Sequence, residues 1–375
     1  MEPILFLISM ALAIGYVFLI AYFSDGWDET IDWQAPPDYK PESSISILIP
    51  VRNEENHLPQ LIQSLLNNDF PPDKREIIII NDHSTDDTKK VCFPFNDQIT
   101  WIDLLAEYKG KKAALEMGIK QANSNIILCL DGDGQVGNKY LQTVSSFLEF
   151  QDVKFVTGLV KTPYKNGIFQ SFQFLDLAGN MFVTAGGIHH RKIFLANGSN
   201  MSFLKNDFVN LGGFRDNTSF ASGDDMFLIQ KFSRAYPNKI RFLKSRDSVV
   251  ITKNETSFYS LLQQRKRWAS KVRGYATQNL VKVQIFVALI EIWIIGMMVG
   301  SAWTGGFTFF CGLFLLFIKW IMDYLLVAKV CRYYTQTRPL KYFIPAAFLQ
   351  FLIYGYSSLF VLTGKKYLWK GRKTR

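Results

Sequence analysis

The sequence predicts a doubly wound α/β domain with a mostly parallel sheet, flanked by membrane helices. Three observations predict it. Short, almost uninterrupted apolar runs stand at 44–51, 76–80, 99–105 and 125–130. Runs of that kind belong to strands covered on both faces, as in parallel sheets with helical crossovers. Between them, apolar residues fall at helical spacing, and long uncharged runs stand at both ends of the chain.

The first element is "PILFLISMALAIGYVFLIAYF", residues 3–23, long enough to cross a bilayer. It lacks a basic leading region and a small-residue cleavage site, so it reads as an anchor rather than a removed leader. Residues 1–24 are therefore an anchor, and the acidic, proline-bearing 25–42 a linker. "SISILIPV" is the first strand. Leu58, Leu61, Ile62, Leu65 and Leu66 then mark a helix. "EIIII" and "ITWIDLL" are strands, "GKKAALEMGIKQAN" a helix, and "NIILCL" the fourth strand. The α/β domain is expected over 43–253, an amphipathic interfacial helix over 254–282, membrane helices over 283–364 and a basic tail over 365–375.

Three late apolar runs lie at 283–303, 307–329 and 342–363. Lys319 and Asp323 are four apart, so one helix face can pair them as a neutralising couple. Lys and Arg ahead of residue 283 place that flank, and with it the α/β domain, in the cytoplasm. A third full span would put the cationic tail outside, against that rule; Pro345 and Gly355 mark the last run as the one that need not span.

Composition agrees. The 375 residues are 48% hydrophobic with 32 Phe, and the net charge is +10. Such a charge suits nucleic acid, anionic lipid or a phosphorylated ligand. The cations concentrate beside membrane segments, where headgroups account for them, so nucleic acid is not an expected partner. The four cysteines show no metal or redox spacing and point to a reducing compartment. No G-x-G-x-x-G follows the first strand and no G-x-x-x-x-G-K-[ST] occurs, which removes support for dinucleotide dehydrogenases and P-loop ATPases.

In doubly wound sheets ligands bind beyond the carboxyl ends of the strands. There stand Pro50, Arg52 and Glu54 after the first strand, Asp82 and His83 after the second, and "DGD" after the fourth. Asp131 and Asp133 are two apart, so in extended chain they face one way and can share a divalent cation. The plain alternative is a solvated turn; the position at the end of a buried strand favours the ligand reading. Asp224 and Asp225 precede a helical pattern, where acids are ordinary, or they present a general base. Ser84 is a candidate cap for a helix through Lys90. Gln264, Arg267 and Trp268 share a helix face that suits a diphosphate and a sugar or base ring. An interfacial basic helix is the compatible alternative, with Arg265, Lys266, Lys271 and Arg273 at the headgroups.

In that order, "IPVRNEEN", "NDHSTDDT", "GKKAAL", "DGD", "GSNMSF", "GGF", "GDD" and "QQRKRW" resemble a membrane-bound family 2 glycosyltransferase of the GT-A (Rossmann-like) type. The resemblance covers roughly 43–275 and the flanking helices. It implies that Pro50, Arg52, Glu54, Asp82, Lys111 and Asp131 bind the nucleotide-sugar with Gln264, Arg267 and Trp268. It implies Asp133 and Asp131 as ligands for Mg²⁺ or Mn²⁺. Asp225 matches the catalytic base, with Asp224 where the family usually has Glu, which leaves the choice between the two acids open. Asn200, Gly212 and Gly213 fall on the acceptor side. The implied reaction moves a sugar, with inversion, from a UDP-sugar to a lipid or glycan acceptor at a bacterial inner membrane. A processive β-glycan synthase and a non-catalytic nucleotide-sugar-binding membrane protein are the alternatives.

Overall fold

A computed structural model describes residues 2–215, 223–270, 278–363, 367–369 and 372–374. The chain divides into two compact units. One comprises Met1–Thr30, Tyr164–Ile193 and Thr277–Gly355; the other Ile31–Pro163, Phe194–Ala276 and Tyr356–Arg375.

The second unit is built on a seven-stranded sheet. Its strands are β1 (Ile45–Val51), β2 (Arg75–Asn81), β3 (Thr100–Asp103), β4 (Ile126–Cys129), β5 (Phe155–Gly158), β7 (Met201–Leu204) and β8 (Ile240–Leu243), in the order β3-β2-β1-β4-β7-β5-β8. A separate parallel pair joins β6 (Val160–Lys161) to β9 (Val250–Ile251). All four strands expected from the apolar runs are present and mutually parallel. Ile47, Leu48, Ile49, Ile78, Ile79, Ile80, Ile127 and Leu128 are fully buried, which is why those runs carry no alternating polar residues.

Register fixes what reaches the site. Val51 lies opposite Asn81, and Leu48 opposite Cys129, so the residues after β1, β2 and β4 emerge at one edge. β7 runs antiparallel between β4 and β5, with Met201 opposite Cys129. Its entrance, residues 197–200, is thereby delivered to the edge where β4 exits.

Helices α2 (Leu58–Leu66), α3 (Lys111–Gln121), α4 (Tyr140–Phe150), α6 (Lys205–Asn210), α7 (Asp224–Ala235) and α8 (Phe258–Ser270) complete the catalytic scaffold. α2 buries Leu58, Leu61, Ile62 and Leu65, the stripe its spacing predicts. Pro59 falls in its first turn, where the missing N–H costs no bond. The residues after β2 form no α-helix through Lys90, and Ser84 is not a cap: its hydroxyl accepts from the Asn53 amide at 3.0 Å and ties two strand-end loops together. The expected basic tail forms strands β10 (Tyr367–Trp369) and β11 (Arg372–Thr374), an antiparallel pair.

The first unit holds α1 (Glu2–Glu29), α5 (Ile168–His189), α9 (Gln278–Thr304), α10 (Gly306–Tyr333) and most of α11 (Phe343–Thr363). α5 lies within the range 43–253, yet it packs with α1 and α10. Among the described residues α1, α9 and α10 are long and apolar enough to cross a membrane, the N-terminal run and the first two of the three late ones. Three such helices point to a membrane protein. α1 and α5 touch through glycines: a Cβ on Gly26 would lie 2.7 Å from the Gly186 Cα, so only small residues permit this approach. Lys319 pairs with Asp323 at 2.7 Å, as their spacing predicts, and the Tyr16 hydroxyl donates to the same carboxylate. Trp293 Nε1 donates to Ser9 at 2.9 Å. These bonds satisfy polar groups that lipid cannot.

Candidate active site

At the carboxyl edge of the sheet, the two loops that follow β1 and β2 are stitched together. Arg52 donates through one guanidinium nitrogen to the carbonyls of Asp82 at 2.8 Å and His83 at 2.9 Å. Asn53 and His83 both sit at positive φ, 55° each, where the chain turns sharply out of β1 and β2. The Glu54 amide is held by Thr88 Oγ1 at 2.8 Å. Asp82 and Glu54 are both almost wholly buried. Pro50 is the penultimate residue of β1.

Lys111, the first residue of α3, is the hub of the site. Its Nζ lies 2.6 Å from Asp131 Oδ1 and 3.1 Å from Asp224 Oδ2. Burial by itself would lower its pKa; the charges of Asp131 and Asp224 outweigh that, and the net shift is upward, so the ammonium stays charged. Ser199 Oγ donates to Asp131 Oδ2 at 2.7 Å; it lies within "GSNMSF", whose resemblance implies no role for this position, and β7's antiparallel entry brings it in. A Cβ on Gly198 would stand 2.7 Å from Lys111 Nζ and 3.2 Å from Asp224 Oδ2, so a side chain there has to displace the tip of the lysine.

α7 starts at Asp224, after Gly223 at φ 96°. The two acids then separate in role. Asp224 is 4% exposed and faces Lys111; its Oδ2 has no hydrogen bond of good geometry, so the lysine charge is its compensation. Asp225 is half-buried, receives the Gly198 amide at 3.3 Å on Oδ2, and keeps a surface toward solvent.

Asp133 faces Lys253 Nζ at 3.5 Å, and the same nitrogen lies 3.3 Å from Glu54 Oε2. Lys253 had no motif to announce it. Among the described residues no group of three or more His, Cys, Asp or Glu is arranged to hold a metal by itself. Two carboxylates at a strand end fit a hard cation that completes its shell with diphosphate oxygens, the usual Mg²⁺ arrangement, rather than an all-protein cage.

Asn200, expected on the acceptor side, lies inside the fold. It is 3% exposed; its amide nitrogen donates to the carbonyls of Leu159 and Ser248, and its oxygen accepts from Tyr140. Gly212 and Gly213 form a turn at φ 76° and 54°. On α8, Gln264 donates to Glu255 at 3.0 Å. Arg265, expected at the headgroups, is instead 5% exposed with its guanidinium 4.2 Å above the Trp268 ring. Arg267 is half-buried. Lys271 and Arg273 lie outside the described residues.

A mostly parallel sheet with acidic residues converging at its carboxyl edge defines a nucleotide-handling α/β enzyme architecture. The family described as Glycosyl transferase family group 2 matches residues 126–358, and Glycosyl transferase family 2 matches 46–189. The chain belongs to the family 2 glycosyltransferases. Among curated relatives, Glycosyltransferase AglE of Haloferax volcanii is 29% identical over 125 residues, 33% of this chain and 41% of that one. Poly-beta-1,6-N-acetyl-D-glucosamine synthase of Staphylococcus epidermidis is 30% identical over 144 residues, 38% of this chain and 34% of that one. The chain thus spans less than half the length of these relatives. The fold is shared with mannosyltransferase PcManGT of Pyrobaculum calidifontis, solved with GDP-Man and Mn²⁺, at TM-score 0.56, 16% identity and 96% coverage of both chains.

Proposed function

We propose that the protein is a metal-dependent inverting glycosyltransferase that moves one sugar from a UDP-sugar to a membrane-associated lipid acceptor, forming a β-glycoside. The observation that carries this reading is the split between Asp224 and Asp225: one acid is buried against Lys111, the other is half-buried at the start of α7, where the Gly198 and Met226 amides orient its carboxylate.

Asp225 takes the proton of the acceptor hydroxyl as that oxygen bonds to the anomeric carbon. The bond from that carbon to the diphosphate oxygen breaks on the opposite face, and its electron pair leaves with the nucleoside diphosphate. A positioned base contributes about 10²–10⁴-fold. Asp131 and Asp133 would hold Mg²⁺ or Mn²⁺, which supplies charge neutralisation for the departing diphosphate. Arg267 adds a cation on that side, while Trp268 and Gln264 line the sugar. Glu54, Asp82 and the loop tied by Arg52 receive the nucleoside. With the catalytic unit in the cytoplasm of a bacterial inner membrane, as the distribution of Lys and Arg supports, the donor is met where nucleotide-sugars are made.

The second reading, a processive β-glycan synthase, is favoured by the names of the Staphylococcus relatives. Product length decides between them. Purified protein is incubated with labelled UDP-sugars and, as a control donor, GDP-mannose, together with membrane lipid. One added sugar on a lipid supports the proposal. A ladder supports the synthase, and donor binding without any transfer supports a non-catalytic binder.

A further inference from the structure

Two lysines divide the carboxylates of the site between them. Lys111 serves Asp131 and Asp224. Lys253 serves Glu54 and Asp133, at 3.3 and 3.5 Å. The two lysines differ in freedom. The Lys111 side chain is 16% exposed, whereas Lys253 is 42% exposed while its partner Glu54 is 4% exposed. The backbone of Lys253 is nonetheless fixed. Ile251 exchanges both backbone bonds with Gln135 at 2.9 Å, and the Thr252 amide donates to the Lys161 carbonyl at 2.9 Å. The strand end that carries Lys253 is thus bonded two residues beyond Asp133, and the side chain alone is free to move.

An ammonium 3.5 Å from Asp133 Oδ2 already neutralises the oxygen that a divalent ion would use. Both positive charges cannot be accommodated there at full strength. An ammonium has three N–H donors; one is bonded to Glu54 at 3.3 Å, and Asp133 is paired with the same nitrogen at 3.5 Å.

We propose that Lys253 is a placeholder cation for Asp133 that yields to the metal and turns to a phosphate oxygen of the nucleoside diphosphate, with Glu54 as the pivot. This rests on the glycosyltransferase reading and names a phosphate-contacting residue for it. Lys253 blocks the empty metal site and strengthens the loaded one, so its removal has effects of opposite sign.

The test uses the full chain in detergent and the variant Lys253→Met. Mn²⁺ alone is titrated by electron paramagnetic resonance, and UDP and GDP are titrated calorimetrically in saturating Mn²⁺. Mn²⁺ alone should bind about two- to fivefold tighter in the variant, the scale of one partly exposed ion pair. The preferred nucleotide should bind about tenfold weaker, the scale of one charged hydrogen bond. Lys253→Arg should restore nucleotide binding. Weaker Mn²⁺ binding in Lys253→Met, or unchanged nucleotide binding, overturns the proposal. If Lys253→Met melts lower than the wild type, Lys253→Gln is read by the same two titrations. A wild type that binds neither nucleotide sinks the glycosyltransferase reading; a wild type that binds while the variant shows no split sinks only this inference.

Discussion

Replacing Lys111 with methionine keeps the length of the side chain and removes the charge that two carboxylates share. The structure sets the cost. Asp224 has a side chain 6% exposed and lies 3.1 Å from the lysine, so it would be left as a buried, uncompensated anion. Removing one partner of such a pair costs about 3–5 kcal/mol. Asp131 adds little, because its side chain is 34% exposed and keeps the Ser199 hydroxyl at 2.7 Å. For a domain of about 150–250 residues each kcal/mol moves the melting temperature by about 2–4 °C, so Lys111→Met should melt roughly 10 °C below the wild type. Tryptophan fluorescence of the purified protein reports it. The lysine's folded pKa is raised, so its contribution is fully present below the unfolded value of about 10.4 and fades only as pH climbs through the folded value. The gap between wild type and variant should therefore be flat from about pH 6 to 9. Adding Asp224→Asn should recover part of the loss, because the two residues are coupled. A Lys111→Met protein that melts within about 2 °C of the wild type would refute the assignment of Lys111 as the buried counter-charge.

Asp225→Asn should lower transfer by about 10²–10⁴-fold while nucleotide binding persists; turnover near the wild-type rate would move the base elsewhere. Gly198→Ala drives a methyl against Lys111 and Asp224, and a displacement of that kind should cost about 10–100-fold in transfer with a smaller change in melting. Equal activity would mean that the hub has room to give. Trp268→Ala should reduce transfer far more than membrane association in a flotation assay, although it also strips the Arg265 guanidinium of its ring. Equal loss of both would make α8 only an anchor. Asp103 is held below its usual pKa: burial opposes this, but bonds from Lys89, Asn81 and Trp101 outweigh it. Its stabilisation is present above about pH 4 and is lost as pH falls through the folded value. Asp103→Asn should therefore flatten the acid limb of the stability profile, and an unchanged limb would discount these bonds.

The four parallel strands, the α2 stripe and the Lys319–Asp323 pair were legible in the sequence because each follows from spacing along one element. So were Asp131 and Asp133, which follow a buried strand directly. Ser199 and Lys253 were not. Ser199 reaches Asp131 only because β7 enters antiparallel beside β4. Lys253 reaches Glu54 across 199 positions, through the bridge between Ile251 and Gln135. Asn200 looked like a loop residue, yet Tyr140, Leu159 and Ser248 close around it. The composition of α5 resembles any apolar helix, and only its packing against α1 and α10 places it in the first unit.

The sequence by itself determined the class: a parallel α/β sheet with acids at its carboxyl edge, between apolar segments of membrane length. Period and apolarity are local properties, and a parallel sheet exposes the same edge of each strand whatever the connections. Tertiary structure decided the division of charge. Which lysine neutralises which carboxylate, and which of Asp224 and Asp225 is buried against one, depends on groups far apart in the chain coming within 3–4 Å. Coulomb interactions fall with distance in space, not along the sequence.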